Sequence, residues 1–243
     1  MGHTSHDVVA ILRKKWKAKK VGHAGTLDPA ATGLLILLVG RWTRASSVFS
    51  KLGKTYTGTI VLGSSTETGD AEGKVDRTAP VPALDAGRVR EVLRSFEGER
   101  EHRPHKFSAV KISGKPAYWY ARKGLVVETP IRKVRIEKLD LEGFSADRIE
   151  FRLACSSGTY ARTLAEEVGK ALGTVSHLAA LRRESVGPFS VREALPMKDW
   201  AGLAWEEAAG RTLTEPRISE AIGTDRLMPP EGGMPAQEPF EEA

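Results

Sequence analysis

The sequence predicts an α+β fold built on a mixed, largely antiparallel sheet flanked by helices. Segments with the period of a strand and segments with the period of a helix follow one another without a regular βαβ repeat. The chain has 243 residues, of which 40% are hydrophobic, so it can bury one sizeable core. No internal repeat is visible in the sequence. Together these observations favour a globular domain of the α+β class.

The N-terminal segment predicts a helix. Thr4 and Asp7 have the spacing of a capping box, in which each side chain bonds to the backbone of the other residue. Apolar residues then recur at helical spacing, at Val8, Val9, Leu12 and Trp16. A glycine-rich loop follows this helix.

The remaining elements are predicted from the same two periodicities. Alternating side chains or a short apolar run predict strands at residues 34–39, 55–62, 134–141 and 148–155. Apolar residues at helical spacing predict helices at residues 42–52, 85–96, 116–123 and 160–172. Asp85 is placed to cap the second of these helices. Beyond about residue 195 the periodicity weakens, and the proline- and glutamate-rich stretch from about residue 228 is expected to be disordered.

The charge of the chain favours a polyanionic partner. Its formal net charge is +6 and its pI is about 9.4. A dense basic run lies directly before the glycine-rich loop, at Arg13, Lys14, Lys15, Lys17, Lys19 and Lys20. Such a run is suited to binding nucleic acid, and it is also typical of the solvated end of a helix.

Several classes of protein are excluded or disfavoured. Cys155 is the only cysteine, which excludes an intramolecular disulfide and a multi-cysteine metal site. The pairs His3 with His6 and His102 with His105 lack a third ligand nearby in sequence, so we expect no metal and interpret these histidines as loop or RNA-facing groups. The longest apolar run is too short to cross a bilayer and no signal peptide is visible, so a soluble, cytoplasmic protein is expected.

A basic and aromatic segment occupies about residues 100–125. It interleaves positive and aromatic side chains, at Arg100, Arg103, Lys106, Phe107, Lys111, Lys115, Tyr118, Trp119, Tyr120, Arg122 and Lys123. This composition suits contacts with phosphates and bases. The alternative, a short amphipathic helix that ends at Gly124, is equally compatible with the pattern.

The glycine-rich loop at residues 22–33 places a single carboxylate, Asp28, just before a proline. Glycines at Gly22, Gly25 and Gly33 allow backbone angles or close approaches that a β-carbon would block. Pro29 biases Asp28 toward an extended conformation. The loop can therefore present Asp28 to a ligand, although an ordinary Asp-Pro turn is the alternative.

The sequence of this loop resembles the catalytic-aspartate motif of the TruB family of tRNA pseudouridine-55 synthases, Gly-His-x-Gly-x-Leu-Asp-Pro-x-Ala-x-Gly. Other segments resemble the same family: Gly-x-Thr-Ser at residues 2–5, Lys-x-Tyr at residues 54–56, Cys-Ser-x-Gly-Thr-Tyr-x-Arg at residues 155–162, and the stretches 181–183 and 186–189. The matches span roughly residues 2–189. The resemblance implies a pseudouridine synthase fold.

The resemblance also implies a reaction. The family isomerises uridine 55 in the T-arm of tRNA by flipping out the base and rearranging its glycosidic bond, which involves no redox change and implies no cofactor. Asp28 matches the catalytic aspartate, with Arg162 and Tyr56 at the other catalytic positions. Positions that bind the substrate are matched by His23, Tyr56, Tyr160, Leu181 and Lys54. The residues leave open whether Asp28 adds to the sugar or acts as a base.

Each of these residues also has a plainer interpretation. Tyr56 and Leu181 could be core residues. His23 could hydrogen-bond within its loop, and Arg162 could lie on a helix surface. A tRNA-binding folding chaperone that makes no product is the alternative function. Under either function we expect a tRNA partner, no obligatory protein partner and a monomer.

Two departures from the family pattern shape the expected domain organisation. The family carries a strand before Gly-x-Thr-Ser that this sequence lacks, and such a loss would expose a sheet edge. The family also often carries a C-terminal RNA-binding domain, of which a minimal version is expected here. We therefore expect a catalytic domain at residues 1–195, with an RNA-gripping insertion at about 100–125, and a short extension at residues 196–243.

Overall fold

In this computed structural model the residues described are 2–200 and 202–222. The helices of that part are α1 (Ser5–Lys15), α2 (Ser46–Lys51), α3 (Ala86–Arg94), α4 (Ala117–Arg122), α5 (Ala161–Ala171), α6 (Met197–Trp200), α7 (Trp205–Gly210) and α8 (Glu215–Ile222). The strands are β1 (Val21–His23), β2 (Thr32–Gly33), β3 (Leu37–Val39), β4 (Lys54–Leu62), β5 (Ser64–Thr66), β6 (Val75–Thr78), β7 (Gly98–His102), β8 (Lys111–Ile112), β9 (Lys115–Pro116), β10 (Arg132–Ser145), β11 (Arg148–Cys155), β12 (Ser176–Val186) and β13 (Phe189–Ser190). None of these helices is long and apolar enough to span a membrane.

The chain divides into two compact units. The first contains Ala30–Gly33 and Leu52–Val186. The second contains Gly2–Pro29, Leu34–Lys51 and the described residues that follow Val186.

The first unit is built on the predicted mixed sheet. Its strand order is β12-β4-β11-β10-β7, with antiparallel pairing throughout, and β2 adds to β12 in parallel. One parallel pair beside four antiparallel pairs confirms the expected mixed, largely antiparallel sheet. The helices α3 and α5 pack against this sheet, at β10 and β12 respectively.

Alternating apolar residues of the sheet and the apolar stripes of α3 and α5 form the core of the first unit. Ile149, Phe151 and Leu153 of β11 are at most 1% exposed, which confirms the alternation expected for that strand. The α3 helix is capped as expected, because the Asp85 side chain accepts a hydrogen bond from the Arg88 amide at 2.8 Å. Burial of apolar area against the sheet is the main stabilising term for both helices.

Gly58, in the middle of β4, marks a close approach in this core. A β-carbon built there would lie 2.7 Å from Phe151 Cζ and 2.8 Å from the Ala180 carbonyl oxygen. We expect Gly58→Ala to lower the free energy of unfolding by about 1–3 kcal/mol because the core is overpacked. Urea unfolding measures this loss. Gly210→Ala is the control, since a β-carbon at Gly210 meets nothing within 4 Å; equal effects of the two substitutions would contradict the prediction.

The second unit begins with α1, where the expected capping box is present. The Asp7 amide donates to Thr4 Oγ1 at 3.1 Å, and the Thr4 amide donates to Asp7 Oδ2 at 2.8 Å. At the other end of α1, Trp16 meets Trp200 and Trp205 with ring centroids 5.7 and 5.5 Å apart. Trp16 therefore attaches α6 and α7 to α1 through aromatic contacts.

Several predicted boundaries were wrong. The strand expected at residues 34–39 is limited to β3, because its partner β1 pairs with only three of its residues. No element was predicted at residues 63–73, where the structure has β5. The segment after residue 176 is a full strand, β12, whose alternation is interrupted by register shifts. Helices α6 to α8 were not predicted, and the disorder expected from about residue 228 concerns residues outside the described part.

Candidate active site

The loop that carries Asp28 is held by hydrogen bonds within the second unit. β1 and β3 pair up to His23 and Leu37, and the Ala24 amide donates to the Ile36 carbonyl at 3.0 Å. Ser5, in the first turn of α1, accepts a hydrogen bond from the Leu27 amide at 2.9 Å. Ser5 is 4% exposed, whereas Asp28 is half-buried. The residue before the carboxylate is thus fixed by α1, as presentation to a ligand requires.

The last residue of the loop, Gly33, is fixed within the first unit. Its φ is +100°, and a β-carbon there would collide with the Arg183 carbonyl. Only glycine combines this backbone angle with so close an approach. Gly33 therefore lets β2 pair with β12 at the point where the loop ends.

One face of the sheet carries three of the predicted site residues. On β4, Lys54 and Tyr56 are two residues apart and so point to the same face. Leu181 of β12 lies opposite Gly58 and shares that face. Both Tyr56 and Leu181 are partly buried and pack against the core. They are core-packed, as the plainer interpretation held, and each retains an accessible part.

Arg162, in the first turn of α5, is 5% exposed, so its interpretation as a surface helix residue was wrong. Its guanidinium donates to the Thr68 carbonyl at 3.0 Å and to the Phe107 carbonyl at 3.2 Å. These two acceptors lie on different loops, one after β5 and one after β7. Arg162 therefore ties two loops to the start of α5 with charge-assisted hydrogen bonds.

Asp70 is a partner of Arg162 that the sequence analysis missed. It is 7% exposed, and its Oδ2 lies 3.7 Å from Arg162 Nη1. Its Oδ1 accepts hydrogen bonds from Thr68 Oγ1 at 2.6 Å and from the Glu72 amide at 3.2 Å. Each buried charge offsets the desolvation cost of the other. No local pattern singles out Asp70, because its partner lies far away in sequence.

His102, at the end of β7, anchors the start of α5. It is 2% exposed, and its Nε2 accepts a hydrogen bond from the Tyr160 amide at 2.9 Å. The His102 and Tyr160 rings are nearly parallel, with centroids 6.1 Å apart. Burial, and secondarily the charge of Arg100, lowers the pKa of His102 to about 4. The expectation of an RNA-facing loop histidine was therefore wrong for this residue.

The buried neutral His102 predicts a pH-dependent stability. The unfolded chain protonates this residue near the ordinary pKa of 6.5 and the folded protein only near 4. The free energy of unfolding should therefore fall by about 2–3 kcal/mol as the pH drops across that window. His102→Gln keeps an acceptor for the Tyr160 amide and should remove this dependence.

Urea unfolding at about pH 7 and about pH 5 measures the effect. His6→Gln is the control, since His6 is exposed. If His102→Gln and the unsubstituted protein lost the same stability between the two pH values, another group would be responsible.

Lys54 and Cys155 begin and end neighbouring strands at one end of the sheet. Lys54 is 8% exposed, and its Nζ donates to the Leu52 carbonyl at 2.6 Å. Burial, and secondarily the charge of Arg183, lowers the pKa of Lys54 to about 8. Burial raises the pKa of the Cys155 thiol to about 11, so this thiol is a poor nucleophile at neutral pH.

The basic and aromatic segment contains the helix α4, as the structural alternative predicted. Lys115 and Lys123 lie over the Trp119 ring, with Nζ 3.8 and 4.2 Å from its centroid. The Arg122 guanidinium lies 5.4 Å from the Tyr118 centroid. All three basic side chains are on exposed residues, so cation–π contacts hold positive charge at the surface.

The predicted site residues are distributed over both units. Lys54, Tyr56, Tyr160, Arg162 and Leu181 belong to the first unit. His23 and Asp28 belong to the second. In the described part of the chain, no group of three or more His, Cys, Asp or Glu side chains is arranged to hold a metal ion.

Known protein families and relatives match most of this chain. The model of the TruB family pseudouridylate synthase N-terminal domain matches residues 13–161, and that of the tRNA pseudouridylate synthase B C-terminal domain matches residues 162–219. The tRNA pseudouridine synthase B of Opitutus terrae is 46% identical over 211 residues, covering 87% of this chain and 88% of the relative. That of Bordetella avium is 41% identical over 217 residues, covering 88% and 89%.

The fold also matches solved structures. A chain in the crystal structure of a Cbf5-Nop10-Gar1 complex superposes with a TM-score of 0.65 at 25% identity. The match covers 90% of this chain but 56% of that chain, so the present protein corresponds to a little over half of it. Because the N-terminal family model matches more than half of this sequence, and both relatives are at least 41% identical over most of it, the chain belongs to the TruB family of pseudouridylate synthases.

Proposed function

We propose that this chain converts uridine 55 in the T-arm of tRNA to pseudouridine. Its family and its relatives, which are named tRNA pseudouridine synthase B, make it an isomerase that acts on tRNA. The reaction breaks the N1 glycosidic bond, turns the base and rejoins it to the same ribose through C5. Substrate and product are isomers, so the chemistry needs no redox or group-carrying cofactor.

One observation carries this proposal: a half-buried carboxylate, Asp28, lies on a loop held at Leu27 by Ser5 and at Ala24 by Ile36. The loop falls within the stretch matched by the family model. A carboxylate that must act on a ribose has to be ionised and rigidly placed, and these backbone contacts supply the rigidity.

The other site residues are given roles in the same reaction. Arg162 is assigned the catalytic position that the family pattern gives to an arginine. Tyr56 stacks on the base that is flipped out of the RNA. The remaining pocket positions, which contact the base or its nucleotide, are His23, Tyr160, Leu181 and Lys54.

The exposed positive charge suits the phosphate backbone of the tRNA. Arg13, Lys14 and Lys15 form the exposed last turn of α1, and Lys115 and Lys123 flank Trp119. Neutralising such charges should weaken tRNA binding and reduce its salt dependence. Since every role is assigned within one chain, we propose that the enzyme acts as a monomer. We also propose a cytoplasmic location, as expected for an enzyme that acts on tRNA.

The position of the product tests the proposal. The protein is incubated with an unmodified tRNA transcript, and pseudouridine is mapped at single-nucleotide resolution. We expect pseudouridine at position 55 alone. A matched transcript with cytidine at that position should yield none, and product elsewhere in either transcript would contradict the specificity that we propose.

A tRNA-binding folding chaperone is the second candidate, favoured by the exposed charge around Trp119. Such a protein would bind the transcript and aid its folding without forming pseudouridine. Binding without product in the mapping experiment would support the chaperone.

A further inference from the structure

Arg183 has the largest fully buried side chain among the described residues, at 1% exposure. It lies on β12, directly opposite Tyr56 on β4. Directly opposed residues of an antiparallel pair place their side chains on the same face of the sheet. Because the two residues are directly opposed, the Tyr56 side chain is the hydrogen-bonding and electrostatic neighbour of the Arg183 guanidinium. Burial lowers the pKa of Arg183, and the contact with Tyr56 opposes that shift.

The backbone of Arg183 has a second contact. Gly33 of β2 pairs in parallel register with Arg183, and no β-carbon fits between them. The loop that carries Asp28 ends at Gly33. Arg183 therefore has two contacts that bear on the proposed site. Its side chain faces Tyr56, the tyrosine expected to stack on the base. Its backbone pairs with Gly33, the end of the loop that carries Asp28.

We propose that Arg183 is a positioning residue, whose guanidinium fixes the ring of Tyr56 for stacking on the flipped base while its backbone fixes the end of the Asp28 loop. This inference rests on the proposed function of Tyr56. Arg183 itself is buried, and in this proposal it touches neither the substrate nor the reacting atoms.

The chemistry of a buried guanidinium favours a positioning role over a simple packing role. A buried guanidinium carries a large desolvation cost that an apolar side chain of similar volume would avoid. Its planar, multi-donor head gives directional hydrogen bonds that an ammonium or an apolar group cannot reproduce. A hydrogen bond from a charged group to the Tyr56 hydroxyl restricts the ring, so its loss should appear in the rate of the reaction.

A double-mutant cycle tests this coupling, with Arg183→Met, Tyr56→Phe and the double variant assayed on unmodified tRNA. We expect each single variant to lower kcat about tenfold with little change in KM, because both remove the same charged hydrogen bond. The double variant should be no slower than the singles. Additive losses, or a loss of thermal stability with unchanged kcat per folded molecule, would show that Arg183 acts in packing alone.

Arg182→Met is the matched control. Arg182 is the neighbouring residue on β12, its side chain is 50% exposed, and it pairs with Glu184 at 3.1 Å. We expect its substitution to leave kcat unchanged. If Arg183→Met does not fold, Arg183→Lys takes its place in the cycle, because it retains the charge but loses the planar donor head.

A spectroscopic measurement is independent of activity. The chain has 4 tyrosines, so fluorotyrosine labelling gives few fluorine resonances, and Tyr56→Phe identifies that of Tyr56. In the absence of tRNA, this resonance should shift or broaden in the Arg183 variant and stay unchanged in Arg182→Met. An unmoved resonance would overturn the positioning role. A moved resonance in a protein that forms no pseudouridine would instead refute the proposed function and leave the contact established.

Discussion

Asp28→Asn is expected to reduce pseudouridine formation about a thousandfold or more while tRNA binding is retained. The amide has nearly the same shape as the carboxylate, so the loop held by Ser5 and the β1–β3 pair should persist. It carries no negative charge, however, and can neither add to the sugar nor remove a proton from it. The loss should therefore fall on kcat rather than on affinity.

Single-turnover assays with excess enzyme measure the rate, and filter binding measures the affinity. Asp147→Asn is the control, because Asp147 is an exposed turn residue whose Oδ1 lies 4.0 Å from Arg148 Nε. We expect this control to match the unsubstituted protein in both assays. If Asp28→Asn still formed pseudouridine at a comparable rate, another group would have to carry the chemistry.

Arg162→Met should have the largest effect on stability. The substitution leaves the buried carboxylate of Asp70 without the guanidinium 3.7 Å away and removes the donors to the Thr68 and Phe107 carbonyls. Breaking a buried pair by removing one partner costs about 3–5 kcal/mol, because the other charge remains in a poorly solvating site. Urea unfolding should show this loss, and the assay should show reduced activity even where the variant is folded.

Two further variants separate the possible causes of this loss. Asp70→Asn combined with Arg162→Met should be less destabilising than the sum of the single effects, since no unpaired charge remains. Arg88→Met removes an exposed ion pair with Glu91 and should cost no more than about 1 kcal/mol. If Arg162→Met and Arg88→Met lowered the free energy of unfolding equally, the hydrogen bonds of Arg162 to the two loops would not stabilise the protein as inferred.

The strands of the sheet were predictable where apolar and polar side chains alternate regularly along them. β11 was predicted with its observed bounds, because every second residue from Ile149 to Cys155 is buried. β12 was not predicted as a full strand, because its two register shifts skip Ala179 and Glu184 and so interrupt the alternation. Bulges of this kind depend on the facing strand, which a local pattern does not contain.

The candidate site was likewise predictable only in part from the sequence. The sequence of the loop around Asp28 indicated a catalytic carboxylate. The roles of Asp28, Tyr56 and Arg162 remain predictions that the experiments above test. The contacts of His102 with Tyr160 and of Asp70 with Arg162 were missed. In each case two residues many positions apart in sequence meet at the start of α5.

By itself the sequence determined the class of the fold, the helix caps and the family to which the chain belongs, because caps, periodicity and motifs are recorded in residues close together along the chain. Tertiary structure alone decided which charged and polar side chains are buried, and therefore the burial of Arg162 and Arg183 and the low pKa of His102. Desolvation and pairing depend on neighbours that folding brings together across the sheet, and no local stretch of sequence specifies them.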